Sequence, residues 1–448
     1  MIPQRVVSSC RRCIHTKIGN RPRTYDPRFE EMEERVFRTT KTEPKLRTYV
    51  WGNARTGALA IPEDNIRSRN KDSPYMKRSP VRLPFCELTD TRFKQTSCGY
   101  GFTLFLADKP DEQLNQLFGA GANTDGQIGH HKHPDKPKVA AEYINRPLPI
   151  SLPFRNRHSR VLEVAAGRAH SIFLTEEGCF SMGNNAYGQC GREINRDEES
   201  SHRVSAVTKV SGLPKDVKSV RCGQDNSFFL TTEGKVYSLG WGADGQTGLG
   251  HHDMVFTPQL VGGDIASEKI VDLSCAADCV LALSDKGEVF GWGNSEYRQL
   301  AIITDHPQIS VPVHLPFKLG TIRSVSSGGT VCGLVNESGE VYVWGFGLLG
   351  KGPELTDADR PSLLPNSLFA AKEFGEQNPV KTIHCSLVHS AVVTERGDLF
   401  MWGSNDSGQI GLGHQKTQYF PLRVPIPSSV RQLSLGVDHN AAICKALI

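Results

Sequence analysis

Three aspartates recur at one position of a repeated pattern and could bind a positively charged partner. Asp225, Asp278 and Asp438 each lie two residues after a short hinge of the type Cys222-Gly223. Because Asp225 and Asp278 belong to successive repeats, together they could present negative charge to a basic segment. The alternative is a local role, in which each carboxylate accepts hydrogen bonds from nearby backbone N–H groups in an Asx turn. The other four repeats carry no acid here and have Gly101, Ala169, Thr330 and Val388.

Three histidines occupy the next position of the repeat, where an imidazole could act as a general base. They are His170, His389 and His439, and the other repeats have Phe102, Asn226, Cys279 and Val331. Apolar residues at this position favour packing or turn capping over catalysis, since a general base also needs a positioned partner.

Two aromatic residues break the repeat immediately after its most regular glycine. Trp241 and Phe346 stand where the other repeats have small or polar residues. Exposed aromatics of this kind are frequent hot spots of protein interfaces. Packing against a neighbouring repeat is the alternative interpretation.

Basic residues in two loops are candidates for binding RNA or an acidic protein, with solvated loop charge as the alternative. The first loop, residues 61–82, contains Arg67, Arg69, Lys71, Lys77 and Arg78. The loop of the next repeat adds Arg155, Arg157, His158 and Arg160.

The remaining patterns do not support a metal site, a cofactor or covalent catalysis. Four of the 12 cysteines, Cys98, Cys222, Cys275 and Cys385, share the position before the hinge, which a small buried residue explains. The one Cys-x-x-Cys pair, Cys10 and Cys13, has no second pair for zinc. Residues 345–352 resemble a phosphate-binding loop but lack its Ser or Thr.

The elements that position these residues are seven repeated units. An aromatic-x-Trp-Gly turn, or a variant of it, ends at seven glycines: Gly52, Gly121, Gly183, Gly240, Gly293, Gly345 and Gly403. A second glycine follows five residues later in every unit except the fifth, which has Arg298. Between hinge and turn lies a β-hairpin, so the chain is predicted to be all-β. A hairpin is marginal alone, and radial stacking into a seven-bladed β-propeller buries its faces.

The first and last units are incomplete in complementary ways. The pattern opens with a turn that lacks its hairpin, at residues 49–52, and closes with a hairpin that lacks its turn, at residues 436–444. We therefore predict that an N-terminal strand pairs with a C-terminal strand and closes the propeller without an open edge.

The first 25 residues contain six Lys or Arg residues and no acid, which is typical of a mitochondrial transit peptide. A disordered basic tail is the alternative. Removing these six from 52 basic residues leaves 46 against 48 acidic ones, so the rest has a net charge of about −2. We predict a leader at residues 1–25, a linker at 26–46 and the propeller at 47–448. No apolar run reaches the roughly 18 residues of a membrane span.

The hinge Gly167-Arg168-Ala169-His170-Ser171 and the loop from Trp402 to Gly413 resemble the repeats of the regulator of chromosome condensation family. That family combines a Gly-x-x-His-Ser/Thr hinge, a Trp-Gly turn and a Gly-Gln-Leu/Ile-Gly loop. The resemblance covers about residues 47–445, although Ala120, Met182 and Leu239 replace three tryptophans. With its basic leader, the chain is most similar to the mitochondrial, exchange-factor-like branch.

This resemblance implies a partner-binding protein and not an enzyme. In the family, acidic and histidine residues of the hinges lie on the face that engages a GTPase, which implies that role for Asp225, Asp278 and Asp438. The mitochondrial branch implies a dynamin-related GTPase of the fusion type as partner, in the matrix or at the inner membrane. The alternative function is a scaffold for ribosome assembly that binds ribosomal RNA through the basic loops. The pattern does not determine an oligomeric state.

Overall fold

The chain folds into seven four-stranded antiparallel sheets, which confirms the predicted seven-bladed β-propeller. The computed structural model describes residues 46–62, 75–111, 115–133, 140–194, 207–369 and 378–446. Blades are numbered here in chain order of their first strand. The first strands of neighbouring blades contact each other and therefore lie nearest the central axis.

Blades 1 to 4 follow one another along the chain. Blade 1 consists of β3 (Phe93–Cys98), β4 (Phe102–Ala107), β5 (Leu117–Ala122) and β6 (Tyr143–Pro149). Blade 2 consists of β7 (Val161–Ala166), β8 (His170–Thr175), β9 (Gly178–Gly183) and β10 (Thr208–Lys209). Blade 3 consists of β11 (Val217–Cys222), β12 (Asn226–Thr231), β13 (Val236–Gly240) and β14 (Val255–Leu260). Blade 4 consists of β15 (Ile270–Ser274), β16 (Cys279–Ser284), β17 (Val289–Asn294) and β18 (Gln308–Leu315).

Blades 5 and 6 repeat this plan, and blade 7 combines both ends of the described chain. Blade 5 consists of β19 (Ile322–Ser327), β20 (Val331–Asn336), β21 (Val341–Phe346) and β22 (Asp357–Leu364). Blade 6 consists of β23 (Val380–Cys385), β24 (His389–Thr394), β25 (Leu399–Gly403) and β26 (Gln418–Arg423). Blade 7 consists of β27 (Ser428–Leu435), β28 (His439–Ala446), β1 (Leu46–Asn53) and β2 (Met76–Arg82).

The predicted closure is confirmed in blade 7. β1 pairs with β28 in an antiparallel register that runs from Leu46 opposite Lys445 to Gly52 opposite His439. β2 then covers the outer side of β1. Helix α1 (Pro84–Thr89) connects blade 7 to blade 1, and short 3₁₀ turns lie at Gly263–Ile265 and Asn366–Leu368.

The core lies between the blades. The second strand of each of blades 1 to 6 is buried along its whole length, because both of its faces pack against a neighbouring blade. One such cluster combines Phe228 and Val236 of blade 3 with Val280 and Trp292 of blade 4. The fourth strands are largely exposed. In β26, for example, Pro421 is the one buried residue.

Buried tryptophans tie successive blades together by hydrogen bonds. In three cases the indole N–H donates to the backbone carbonyl of the loop glutamine in the preceding blade. The pairs are Trp51 and Gln409 at 2.9 Å, Trp292 and Gln246 at 3.0 Å, and Trp344 and Gln299 at 2.7 Å. The loops that contain these glutamines thus join neighbouring blades.

Strand direction gives the propeller two distinct faces. The hinges between first and second strands and the loops between third and fourth strands lie at the same end of each antiparallel blade. We call this the hinge face, with Gly223–Asp225 and Trp241–Gly245 as its elements in blade 3. The opposite face carries the turns between second and third strands, such as Glu176–Glu177, and the connections between blades. Within the described residues, no helix is long and apolar enough to cross a membrane.

Candidate functional site

The hinge and the loop of each blade are joined by a backbone hydrogen bond to the hinge residue that is Asp225 in blade 3 and Asp278 in blade 4. The N–H of Trp241 donates to the carbonyl of Asp225, and the N–H of Asn294 donates to that of Asp278, both at 2.9 Å. Close packing here explains the regular glycine of the repeat. Gly240 has φ of 110°, and a Cβ on it would lie 2.4 Å from the Asp225 carbonyl oxygen.

Asp225 lies on the hinge face, but its charge is neutralised within the protein. Its side chain is 10% exposed, and Arg168 of blade 2 forms an ion pair with it at 2.6 Å. Gln189 donates a further hydrogen bond to the same carboxylate at 3.3 Å. Burial raises the pKa of Asp225, and the guanidinium of Arg168 opposes that rise. Asp225 therefore forms an ion pair between blades 2 and 3. It neither caps an Asx turn nor presents a free negative charge to a partner.

Asp278 lies on the adjacent blade, as predicted, and forms no ion pair among the described residues, although Arg168, which pairs with Asp225, acts on it from a distance. Its carboxylate accepts one hydrogen bond, from the side-chain amide of Gln246 at 3.1 Å. Burial raises its pKa to about 6, and the nearby Asp244 and Asp225 add to the rise. Of the three hinge aspartates, Asp278 therefore carries the charge that is available to a partner.

Asp438 belongs to blade 7, three blades away from both other aspartates around the ring. Asn53 donates a hydrogen bond to its carboxylate at 2.7 Å, and the His439 imidazole lies 3.3 Å away. Although burial acts to raise its pKa, these contacts hold the pKa of Asp438 below its usual value. The structure thus does not bring Asp438 together with Asp225 and Asp278.

The two repeat-breaking aromatics both lie on the hinge face, and each contacts a tyrosine of the preceding blade. Trp241 is half-buried against Tyr187, with ring centroids 4.7 Å apart. Phe346 is 51% exposed and stacks on Tyr297 at 6.1 Å with an interplanar angle of 22°. Trp241 follows the packing interpretation, whereas Phe346 keeps an exposed ring surface.

The tyrosines are functional candidates that the repeat comparison missed. Tyr187 and Tyr297 occupy the position before the second loop glycine or its replacement. They stand in the two blades that immediately precede the blades with Trp241 and Phe346. A search for aromatic residues that recur in consecutive units would have found both pairs.

Two adjoining cavities open on the hinge face across blades 3 to 6. The first, of about 420 Å³, is lined by three acids, Asp244, Asp278 and Glu296, and we call it the acidic cavity. The second, of about 360 Å³, is lined by Phe346, Leu348 and Val388, and we call it the apolar cavity. The two share three lining residues, namely Tyr297, Thr330 and Leu387.

The basic residues predicted to bind RNA do not form one patch. Lys77 and Arg78 lie at the hinge-face end of β2, where Lys77 pairs with Gly52 and Arg78 donates to Gln415 at 2.8 Å. Arg155 and Arg157 lie on the opposite face, next to the β8–β9 turn, whose Glu177 accepts from the Arg155 backbone. Arg67, Arg69 and Lys71 lie outside the described residues.

The hinge histidines are buried and bond to the next blade, in agreement with the packing interpretation. His170 contacts the Ser227 hydroxyl at 3.0 Å, and His389 contacts the Asn440 amide oxygen at 2.8 Å. Burial lowers the pKa of His170 to about 3 and that of His389 to about 4, so both are neutral near pH 7. All ten described cysteines are free thiols, and no grouping of three metal-ligating side chains occurs among the described residues.

A family model described as RCC1-like domain matches residues 116–446, nearly three quarters of the chain. The chain belongs to the RCC1-like domain family. A mouse relative, RCC1-like G exchanging factor-like protein, is 43% identical over 432 residues, which are 94% of this chain and 91% of the relative. Family membership and this relative make the chain an exchange-factor-like propeller.

Solved structures of this RCC1-like class agree with the fold. The crystal structure of human WBSCR16 is 41% identical and superposes with a TM-score of 0.81, covering 90% of this chain and 100% of that one. Prp20p of Saccharomyces cerevisiae, studied for its binding to Gsp1p and histones, is 18% identical with a TM-score of 0.71. The match covers 93% of this chain and 95% of Prp20p. At this level of identity it shows a shared fold alone.

Proposed function

We propose that this RCC1-like propeller binds a GTPase through blades 3 to 5 of the hinge face and accelerates release of its nucleotide. The observation that carries the proposal is the partly buried carboxylate of Asp278, which forms no ion pair among the described residues and lines a cavity that adjoins the one lined by the exposed ring of Phe346. A carboxylate of this kind favours contact with a lysine or arginine of the partner. The names of the relatives support exchange as the outcome of that contact.

Exchange requires differential binding and no bond chemistry in the propeller. If Asp278 pairs with a basic residue that otherwise holds phosphate, propeller and nucleotide compete for that residue. By thermodynamic linkage, each then lowers the affinity of the GTPase for the other. This mechanism uses only the charge and the position of the hinge-face residues.

We further propose a mitochondrial, dynamin-related GTPase of the fusion type as the partner, in the matrix or at the inner membrane. The basic, acid-free first 25 residues support the compartment, and the family resemblance supports the class of GTPase. The scaffold alternative receives less support, because Lys77 and Arg78 lie on one face and Arg155 and Arg157 on the other.

Release of a fluorescent GDP analogue from purified candidate GTPases tests the proposal. We expect the full propeller to accelerate release at least tenfold for one of them and Asp278→Asn to reduce the acceleration about tenfold, as for loss of one charged contact. Asp406→Asn is the matched control, since Asp406 is an exposed hinge-face aspartate of blade 6. No acceleration at saturating propeller with any of these GTPases would refute the exchange function.

A further inference from the structure

The apolar cavity is a concave hydrophobic surface on the hinge face. Within it or at its edge lie Phe346, Val388 and Tyr297, which are 51%, 43% and 40% exposed. They come from three different blades, because Tyr297 belongs to a blade 4 loop, Phe346 to blade 5 and Val388 to a blade 6 hinge. Apolar side chains gathered in this way around a concave surface are typical of a protein-binding site.

The adjoining acidic cavity sets the charge of what can bind there. No Lys, Arg or His is among the residues that line it, and none of Asp244, Asp278 and Glu296 forms an ion pair in the described part of the chain. Neutral amides partly satisfy two of them, since Gln308 donates to Asp244 at 2.6 Å and Gln246 donates to Asp278. A cation that enters would relieve the repulsion between these carboxylates.

The shared residues Tyr297, Thr330 and Leu387 make the two cavities one composite surface. A phosphate-rich ligand is repelled by the acids, and a lone cation leaves the apolar part uncovered. A protein segment with a basic and an apolar side chain close together satisfies both parts at once. Successive side chains on one side of an extended segment lie roughly 7 Å apart, which suits two neighbouring cavities.

We infer that this surface recognises a partner segment in which a Lys or Arg enters the acidic cavity and a nearby large apolar residue enters the apolar cavity. The inference rests on the proposed use of the hinge face and specifies the sequence that the partner must present there. Tyr297 separates the two positions and contacts both. Specificity therefore requires the pair of residues, and neither residue alone suffices.

Binding of short labelled peptides to the full chain tests this inference directly. The probe is a flexible Gly/Ser peptide with one Lys and one Leu separated by a single residue, and the matched probes replace Lys by Glu or Leu by Ser. Fluorescence polarisation should show saturable binding of the first peptide below about 1 mM, the range of weak specific contacts, and at least tenfold weaker binding of both others.

Protein variants assign each side chain to its cavity. Asp278→Asn should reduce the preference for Lys over Glu, and Phe346→Ser should reduce the preference for Leu over Ser, each without changing the other preference. Asp406→Asn and Phe420→Ser are the matched controls, since Phe420 is 46% exposed on the outer strand of blade 6. Circular dichroism and thermal unfolding of each variant verify that it is folded.

The outcomes separate this inference from the proposed exchange function. No binding of the Lys and Leu peptide at 1 mM, or equal binding of all three peptides, would overturn the inference even if GDP release is accelerated. Peptide discrimination without accelerated GDP release would uphold the inference and refute exchange. Discrimination that survives both cavity variants would also overturn it, because the peptide would then bind elsewhere.

Discussion

The neighbours of each hinge aspartate decide whether its charge can act on a partner. Arg168 neutralises Asp225, and Asn53 and His439 hold Asp438 by hydrogen bonds. Asp278 occupies the same position of the repeat, but its carboxylate forms no ion pair in the described part of the chain and accepts a hydrogen bond from the neutral amide of Gln246. A function carried by charge is therefore concentrated at one residue, although the pattern offered three equivalent ones.

Asp278 should reduce the stability of the protein above pH 6. Its folded pKa of about 6 lies above the ordinary value of 3.8, so the folded state binds the proton more tightly than the unfolded state. The contribution of Asp278 to the free energy of unfolding is therefore most favourable at low pH. It is lost as the pH rises from the ordinary pKa of 3.8 to the folded pKa of about 6. We expect Asp278→Asn to increase the free energy of unfolding by roughly 1–2 kcal/mol at pH 7.5 and to change it little near pH 4.

Urea denaturation at both pH values measures this effect, with Asp406→Asn as the exposed control. A variant that is less stable than the parent protein at pH 7.5 would contradict the assigned environment of Asp278. Stabilisation together with weaker partner binding would mark Asp278 as a residue retained for function at the expense of stability.

Arg168 is predicted to stabilise the fold mainly through its ion pair with Asp225. Arg168→Met leaves the largely buried carboxylate of Asp225 without its counter-charge and should lower the free energy of unfolding. We expect a loss of about 1–3 kcal/mol, since the 43% exposure of Arg168 weakens the ion pair. Adding Asp225→Asn removes the charge and should restore most of the loss. The double-mutant cycle by chemical denaturation tests this, and additive losses would show that the ion pair is not the cause.

At the scale of elements, Trp51 joins β1 to the loop of blade 6 and should be essential for the last blade. It is fully buried, and its indole N–H donates to Gln409 at 2.9 Å. Trp51→Ala should lower the free energy of unfolding by roughly 3–5 kcal/mol, the usual range for a buried tryptophan. Hydrogen exchange should rise first in β1 and β28, and uniform exchange across all seven blades would contradict this local role.

The elements were largely predictable from the sequence, but their contacts were not. The period of the repeat gives seven hairpins and places Asp225 and Asp278 on adjacent blades, as observed. It gives no information on which side chain of a neighbouring blade approaches, so the contact of Arg168 with Asp225 could not be foreseen. Arg298 illustrates the same limit, since it adopts φ of 63° in place of a glycine and forms an ion pair with Asp359 of blade 5.

The direction of the predicted strands could also have assigned each basic loop to one face of the propeller. Lys77 follows a loop after a third strand, and Arg155 precedes a first strand, so an antiparallel blade must place them on opposite faces. These described residues of the two loops therefore cannot contribute to a single surface. The cavities, in contrast, depend on how the hinges and loops of blades 3 to 6 meet, and no local pattern determines that.

For the whole molecule, the leader and the propeller should be separable in function. Removal of residues 1–25 is expected to abolish mitochondrial import of a tagged protein and to leave the thermal unfolding of the purified propeller unchanged. Microscopy and protease protection of isolated mitochondria measure import. Retained import without these residues would contradict the leader assignment.

The pairing of Leu46 with Lys445 means that blade 7 can be completed only after the end of the propeller has been synthesised. Of the described strands, β1 is made first, yet its inner neighbour β28 is made last. Until β28 is made, the inner edge of β1 therefore lacks the strand with which it pairs in the folded propeller. We expect chaperones to be needed most at this stage, and a circular permutant that makes blade 7 contiguous to refold with less chaperone.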